Sequence, residues 1–110
     1  MSCYHNARIL KGWEFTGEEY MKLLEATDWK WEDEFISPDY CLGEYYYYGI
    51  ELADTSEGEV TMLDAGKLVM SYPNRDELAE LKADLAAAGL TDHEIFKDAA
   101  HLYLIHTVYY

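Results

Sequence analysis

The first helical pattern of the chain begins after Thr16. Thr16 and Glu19 have the spacing of a capping box, in which each side chain bonds the backbone N–H of the other residue. The residues that follow at intervals of three and four share one helical face: Tyr20, Leu23, Leu24 and Thr27. This pattern predicts an amphipathic helix over residues 17–27.

A second helical pattern follows Asn74, a residue type favoured just before a first helical turn, with Glu77 three positions on. Its apolar residues keep helical spacing: Leu78, Leu81, Leu85 and Ala88. Gly89 comes next, where a glycine in the left-handed conformation commonly ends a helix. We predict a helix over residues 75–88, and a further short helix after Thr91, which repeats the N-terminal pattern with Glu94.

Elsewhere apolar and aromatic residues recur with a period of two, which is typical of β-strands. This pattern predicts strands at residues 4–10, 44–52, 67–72 and 101–110. Residues 29–36 fit either a short strand or an extension of the first helix.

The predicted strand 44–52 contains four consecutive tyrosines, and its alternation gives it two different faces. One face, which we predict to lie in the core, carries Tyr46, Tyr48, Ile50 and Leu52. The opposite face carries Tyr45, Tyr47 and Glu51. Tyrosine has a rigid apolar body with a polar tip and is enriched in protein interfaces, so this second face is a candidate contact surface.

Helices and strands do not alternate regularly along the chain, which favours an α+β fold. We predict a small single domain over residues 1–110, with a mostly antiparallel sheet and two main helices packed against it. Its length and its 50% apolar residues suffice for one hydrophobic core.

Acidic residues dominate the composition, with 22 Asp and Glu against eight Lys and Arg and a formal net charge of −14. Residues 14–64 hold 15 of the acids and only Lys22 and Lys30 as cations. Direct nucleic-acid binding is disfavoured, since neutralising phosphates needs clustered Lys and Arg. No apolar stretch approaches the roughly 20 residues of a membrane-spanning helix, and no leader pattern opens the chain. We therefore expect a cytoplasmic protein.

Two cysteines, Cys3 and Cys41, fit a reducing compartment, so we expect free thiols. A disulfide between the two is the alternative. A zinc site built from these cysteines, His5 and other histidines is disfavoured, because structural zinc sites usually have two close ligand pairs and here only Cys3 and His5 are close in sequence. The acids around Glu32 lack the spacing of a calcium loop, and a solvated surface is the favoured interpretation. No nucleotide loop or nucleophile motif appears. We expect no enzyme activity, no metal and no cofactor.

The carboxylates and outward tyrosines between Trp31 and Gly66, where no Lys or Arg occurs, are the predicted partner-binding residues. A field of one sign beside aromatic side chains suits a basic protein groove. The residues are Glu32, Asp33, Glu34, Asp39, Glu44, Tyr45, Tyr47, Glu51, Asp54, Glu57 and Glu59, and we add Trp31 as a further candidate for contact area.

In its length, its local charge and this mixture of acids and aromatics, the chain resembles small acidic phage-encoded inhibitors, including anti-CRISPR proteins and other DNA mimics. The resemblance implies a non-enzymatic inhibitor that occupies the basic groove of a nucleic-acid-binding protein. The implied partner is a guide-RNA nuclease or a similar complex in the bacterial host cell. It implies no role for any individual residue.

Two alternatives come from other functional classes. The second hypothesis is a monomeric or homodimeric protein that binds a small ligand, with its aromatic residues stacked on a nucleotide-type molecule. Arg8, Lys11 and Arg75 are then the cations available to an anionic ligand. A structural or adaptor subunit, with an acidic face that maintains solubility, is the third hypothesis.

Overall fold

The computed structural model of the protein describes residues 4–37, 44–56, 65–97 and 99–109. Three strands form a sheet in the order β2-β1-β3: β1 (Tyr4–Thr16), β2 (Tyr45–Ser56) and β3 (His101–Tyr109). The helices are α1 (Gly17–Ala26), α2 (Ala65–Met70) and α3 (Arg75–Ala87), with 3₁₀ turns at Glu32–Glu34 and Glu94–Lys97. Among the helices in the described ranges, none is both long and apolar enough to cross a membrane.

The central strand β1 pairs antiparallel with both neighbours, opposite Tyr48 of β2 at Trp13 and opposite Tyr103 of β3 at Leu10. Helices α1 and α3 bury their apolar residues with the aromatic residues of one sheet face. The predicted α+β fold, with a mostly antiparallel sheet and two main helices packed against it, is confirmed.

Local capping signals placed both main helices correctly. The Thr16 side chain accepts a hydrogen bond from the Glu19 N–H at 3.2 Å, and Glu19 Oε1 accepts from the Thr16 N–H at 2.8 Å. Asn74 Oδ1 accepts from the N–H groups of Asp76 and Glu77 at the start of α3. Gly89, with φ of +83°, follows the end of α3 as predicted.

The prediction of a strand at residues 67–72 is wrong, because Ala65–Met70 is the helix α2. The described sheet contains β2, β1 and β3, and residues 65–70 do not join it. Lys11 instead holds its last turn, donating from Nζ to the carbonyl oxygens of Leu68 at 2.9 Å and Val69 at 3.0 Å. The side chains of Val69 and Met70 are 75% and 83% exposed.

Residues 29–36 form neither the short strand nor the helix extension that the sequence suggested. The chain leaves α1 through two residues with positive φ, Asp28 at 53° and Trp29 at 63°, and the Trp29 N–H bonds the Leu24 carbonyl at 2.8 Å. A left-handed conformation stops helix propagation. The 3₁₀ turn Glu32–Glu34 follows, and Ile36 then forms an isolated bridge with Tyr47.

The first strand is longer than predicted, since residues 11–16 continue it through Gly12 to the helix cap. Gly12 and Gly49 lie opposite each other, and a Cβ on Gly12 would come within 2.6 Å of the Gly49 Cα. This close approach requires glycine on both strands. Cys3 and Cys41 lie outside the described residues.

The core contains Trp13 and Phe15 of β1, Tyr48 of β2 and the apolar faces of α1 and α3. As predicted, Tyr48 is buried and the half-buried Tyr46 packs against the same cluster. Leu52 is buried too, but it lies outside that cluster. The register shifts beside it, because Leu10 pairs with Glu51 while Ile9 pairs with Ala53. A bulge therefore ends the simple alternation on which the prediction relied.

Candidate protein-interaction face

The sheet face opposite α1 and α3 is organised around Glu14. Pairing between β1 and β3 ends at Gly12, whereas pairing with β2 continues to Thr16. On the side that β3 leaves open, His93 Nε2 lies 2.7 Å from the Glu14 carbonyl oxygen. A side chain from a distant turn thus takes the place of a strand partner.

The hydrogen bonds of His93 define its proton position. The Ile95 N–H donates to Nδ1 at 3.0 Å, so Nδ1 is an acceptor and Nε2 carries the proton donated to Glu14. The ring is buried and stacks on Phe15 with a centroid distance of 3.9 Å. With both nitrogens engaged, neutral His93 has no lone pair left for a metal or for proton abstraction, and it acts as a structural residue.

Two tyrosines from the outer strands meet above the central strand. The ring centroids of Tyr47 on β2 and Tyr103 on β3 lie 5.0 Å apart, although β1 lies between those strands. Tyr47 is opposite Glu14 and Tyr103 is opposite Leu10, so the rings approach each other over Gly12.

Both tyrosines stay protonated. The Tyr47 O–H donates to Glu14 Oε2 at 2.8 Å. Burial raises the pKa of Tyr47, and the hydrogen bond and negative charge of Glu14 raise it further. Burial also raises the pKa of Tyr103, again with a contribution from the Glu14 charge. The pair therefore presents neutral aromatic surface next to carboxylates.

An open depression of about 300 Å³ adjoins this pair, and its described lining includes no Lys or Arg. Its carboxylates come from β1, α1 and the segment before β3: Glu14, Glu19, Asp92 and Glu94. The capping bond fixes Glu19, and Glu94 Oε2 lies 3.4 Å from His101 Nε2. We use the term acidic sheet face for these four carboxylates together with Tyr45, Tyr47 and Tyr103.

Strand β2 brings part of the predicted partner-binding set to this face. Tyr45, Tyr47 and Glu51 lie on the same side of the sheet, opposite Thr16, Glu14 and Leu10 respectively. Tyr45 and Glu51 are exposed, and Tyr47 is half-buried by its contacts. The predicted division of the tyrosine run into an inner and an outer face is thus found in the structure.

Two further predicted residues lie at the ends of β2. Glu44 is exposed immediately before the strand, and its carbonyl accepts the Gly17 N–H at 2.8 Å. Asp54 is exposed and lies opposite Arg8. Asp39, Glu57 and Glu59 lie outside the described residues.

The predicted acids Glu32, Asp33 and Glu34 lie on the helical side of the sheet, away from Tyr45 and Tyr47. Burial raises the pKa of Glu34, and the charge and a hydrogen bond of Glu77 at the start of α3 raise it further. Burial also raises the pKa of Tyr48, with Glu77 as the next cause. This turn therefore faces α3 and the core tyrosine, and the structure does not join it to the acidic sheet face.

Trp31 does not supply contact area, because it is buried. Its indole Nε1–H donates to Asp84 Oδ2 at 2.8 Å. Lys30 reinforces the same junction by ion pairs with Asp84, at 3.1 Å, and with Glu80. These contacts attach the segment after α1 to α3.

Sequence reasoning missed five members of the face: Glu14, Glu19, Asp92, Glu94 and Tyr103. A signal for Glu14 existed, since it lies between Trp13 and Phe15 in an apolar–polar alternation that would have extended the first strand. Asp92 and Glu94 carry no such signal. Their segment is held near Glu14 by long-range contacts, namely the hydrogen bond of His93 to the Glu14 carbonyl 79 positions away and the burial of Ile95 in the core.

Within the described ranges, no group of three or more His, Cys, Asp or Glu side chains is arranged to hold a metal ion. In comparisons with protein-family models, curated proteins and solved structures, nothing matches this chain.

Proposed function

We propose that this protein is a non-enzymatic inhibitor whose acidic sheet face occupies the basic nucleic-acid groove of a partner protein. One observation carries the proposal. Four carboxylates from β1, α1 and the segment before β3 line one depression together with Tyr103, whose ring contacts Tyr47, and no described Lys or Arg lines that depression. Such a face combines concentrated negative charge with rigid apolar area.

Electrostatics gives this face its preference for a cationic groove. Carboxylates without nearby cations produce a negative potential that speeds the approach of a positive surface and repels nucleic acid and acidic proteins. The net charge of −14 adds to the same field. Grooves that bind nucleic acid display Lys and Arg for phosphate, and carboxylates compete for the same groups.

The tyrosines supply rigid apolar contact area, which the carboxylates lack. Tyr45 is exposed at the edge of the face, and the rings of Tyr47 and Tyr103 are fixed against each other. Preorganised aromatic residues lose little conformational freedom on binding and are common energetic centres of interfaces. Charge therefore governs encounter, and the tyrosines contribute to retention.

The groups on the face favour binding over catalysis. His93, the residue best suited to acid–base work, uses both ring nitrogens in structural hydrogen bonds. The raised pKa values of Tyr47 and Tyr103 keep their hydroxyls from acting as bases. The partner class we propose is the one implied by the resemblance, a guide-RNA nuclease or another nucleic-acid-binding complex.

The test compares two variants that lose the same charge. The face variant carries Glu14→Gln, Glu19→Gln, Asp92→Asn and Glu94→Gln. Gln retains the capping geometry at position 19 and leaves an acceptor for Tyr47 at position 14. The control variant carries Glu18→Gln, Glu25→Gln, Asp28→Asn and Asp76→Asn, all at exposed positions outside the face.

Each purified protein is immobilised and exposed to bacterial lysate, and captured proteins are identified by mass spectrometry with and without competing duplex DNA. We expect the unmodified chain and the control variant to retain nucleic-acid-binding proteins that DNA displaces. The face variant should lose them. Equal retention by both variants, or partners that DNA does not displace, would rule out the proposed groove.

A further inference from the structure

Helix α3 separates its charges by side. Residues advance by about 100° around a helix, so Glu77, Glu80 and Asp84 lie on one flank. Contacts confirm this placement, because Glu80 and Asp84 bind Lys30 and Glu77 approaches Glu34. The opposite flank carries the stripe Arg75, Leu78, Ala79 and Lys82, at positions i, i+3, i+4 and i+7. This stripe contains two cations and no acid.

The stripe lines a depression. Together with Tyr72, the stripe lines an open cavity of about 490 Å³. This volume is within the usual size range of small-molecule sites. No described residue of its lining is acidic. Leu78 is buried at its base, while Arg75 is exposed at its margin. The cavity thus combines two cations with an apolar and aromatic wall.

The Tyr72 ring is held in position by residues of the central strand. Trp13 contacts it edge-on, with centroids 6.0 Å apart and an interplanar angle of 84°. Lys11 Nζ lies 5.8 Å from the ring centroid while it binds the end of α2. Tyr72 therefore lines the cavity with a ring whose position is already fixed, so a ligand that packs against it loses little conformational entropy.

We propose that this cavity binds a small organic anion with a planar ring, of the nucleoside monophosphate type. Arg75 and Lys82 bind the anionic group, and Tyr72 packs against the ring. Arg is suited to a phosphate or carboxylate because its planar donors bind two oxygens together. The site lies on α3 and does not involve any residue of the acidic sheet face, so it is independent of the proposed inhibitor function. It provides a location for the small-ligand hypothesis raised by the sequence.

The experiment uses calorimetric titration with AMP as the probe. Adenosine serves as a probe for the planar ring alone, and inorganic phosphate as a probe for the anionic group alone. The site variant carries Arg75→Gln and Lys82→Gln. The matched control carries Lys22→Gln and Lys97→Gln, which change the net charge equally at exposed positions outside the cavity. A third variant, Tyr72→Leu, removes the ring, and circular dichroism checks that each variant is folded.

We expect AMP to bind the unmodified chain and the control alike, and to bind more tightly than either half probe. Loss of the two cations should weaken AMP binding by about tenfold or more, since hydrogen bonds to charged groups contribute strongly. The proposal is overturned if AMP fails to bind at millimolar concentration, or if the site variant binds it unchanged. Inorganic phosphate binding as tightly as AMP would overturn the assigned ligand class.

Discussion

The two faces of the sheet use the same residue type for different purposes. On the covered face, Tyr48 is buried with Trp13 and Phe15 beneath α1 and α3, and stability comes mainly from buried apolar area. On the acidic sheet face, Tyr47 lies over the central strand and bonds Glu14. Alternation along one strand therefore assigns adjacent tyrosines to the core and to the candidate contact surface.

The largest expected effect comes from the pair of glycines that face each other on β1 and β2. In Gly12→Ala, the new methyl group would collide with the backbone of Tyr48 and Gly49. We expect the free energy of unfolding to fall by about 3 kcal/mol or more, since backbone atoms cannot move aside as side chains do. Urea denaturation measures the change.

Gly89→Ala is the control for that experiment. Gly89 lies after the end of α3, where no heavy atom is within 4 Å of an added Cβ, and only its φ of +83° is unfavourable. We expect a loss of about 1 kcal/mol. If the two substitutions cost the same, close packing at Gly12 is not what the fold requires.

The next effect compares leucines on the covered and uncovered parts of the molecule. Leu81→Ala removes a fully buried side chain of α3 and should lower the free energy of unfolding by about 2–5 kcal/mol. Leu104→Ala removes a side chain that is 73% exposed on β3, and its effect should stay within about 0.5 kcal/mol. A large loss for Leu104→Ala would show that this part of β3 is covered in solution.

A smaller effect is expected from Tyr47→Phe, which keeps the ring and removes its hydrogen bond to Glu14. The predicted loss is about 1 kcal/mol at neutral pH. The pKa of Tyr47 is higher in the folded protein than in the unfolded chain, so the protonated hydroxyl stabilises the fold. This stability is lost as the pH rises through the alkaline range toward the folded-state pKa. The variant should show a weaker alkaline loss, and denaturation curves at several pH values measure the difference.

The smallest effect concerns Glu34, whose pKa is raised first by burial and then by the charge and hydrogen bond of Glu77. A carboxyl group with a raised pKa in the folded state stabilises the fold when protonated, and that stability is lost as the pH rises through the folded-state pKa. Glu34→Gln should therefore raise the free energy of unfolding at neutral pH, by about 0.5 kcal/mol or less at this exposed site. Destabilisation by Glu34→Gln would contradict the assignment.

The helix ends that sequence predicted correctly are determined by neighbouring residues. Thr16 with Glu19, Asn74, and Gly89 act within one helical turn, so their effect is visible in the sequence. Residues 67–72 were assigned wrongly because Ala65–Met70 is a helix, whose last turn is bound by Lys11 from the central strand. A local period-two pattern cannot show such a long-range contact.

The residues of the acidic sheet face likewise fall into two groups, those that a local pattern predicts and those placed by long-range contacts. Alternation correctly separated Tyr45 and Tyr47 from Tyr48. The convergence of Asp92 and Glu94 on Glu14 depends on a long-range hydrogen bond from His93, which no local pattern contains. The acids of the Glu32–Glu34 turn were grouped with Tyr47 because they are close in sequence, but the turn packs toward α3.

The most direct test of the acidic sheet face is the affinity of one captured, DNA-displaceable partner for three proteins at low and at physiological ionic strength. These are the unmodified chain, the face variant and the equally charged control variant. We predict that only the face variant weakens binding by at least about tenfold, or 1.4 kcal/mol, and that added salt reduces this difference. Equal weakening by the face and control variants would contradict the account, because affinity would then follow net charge alone.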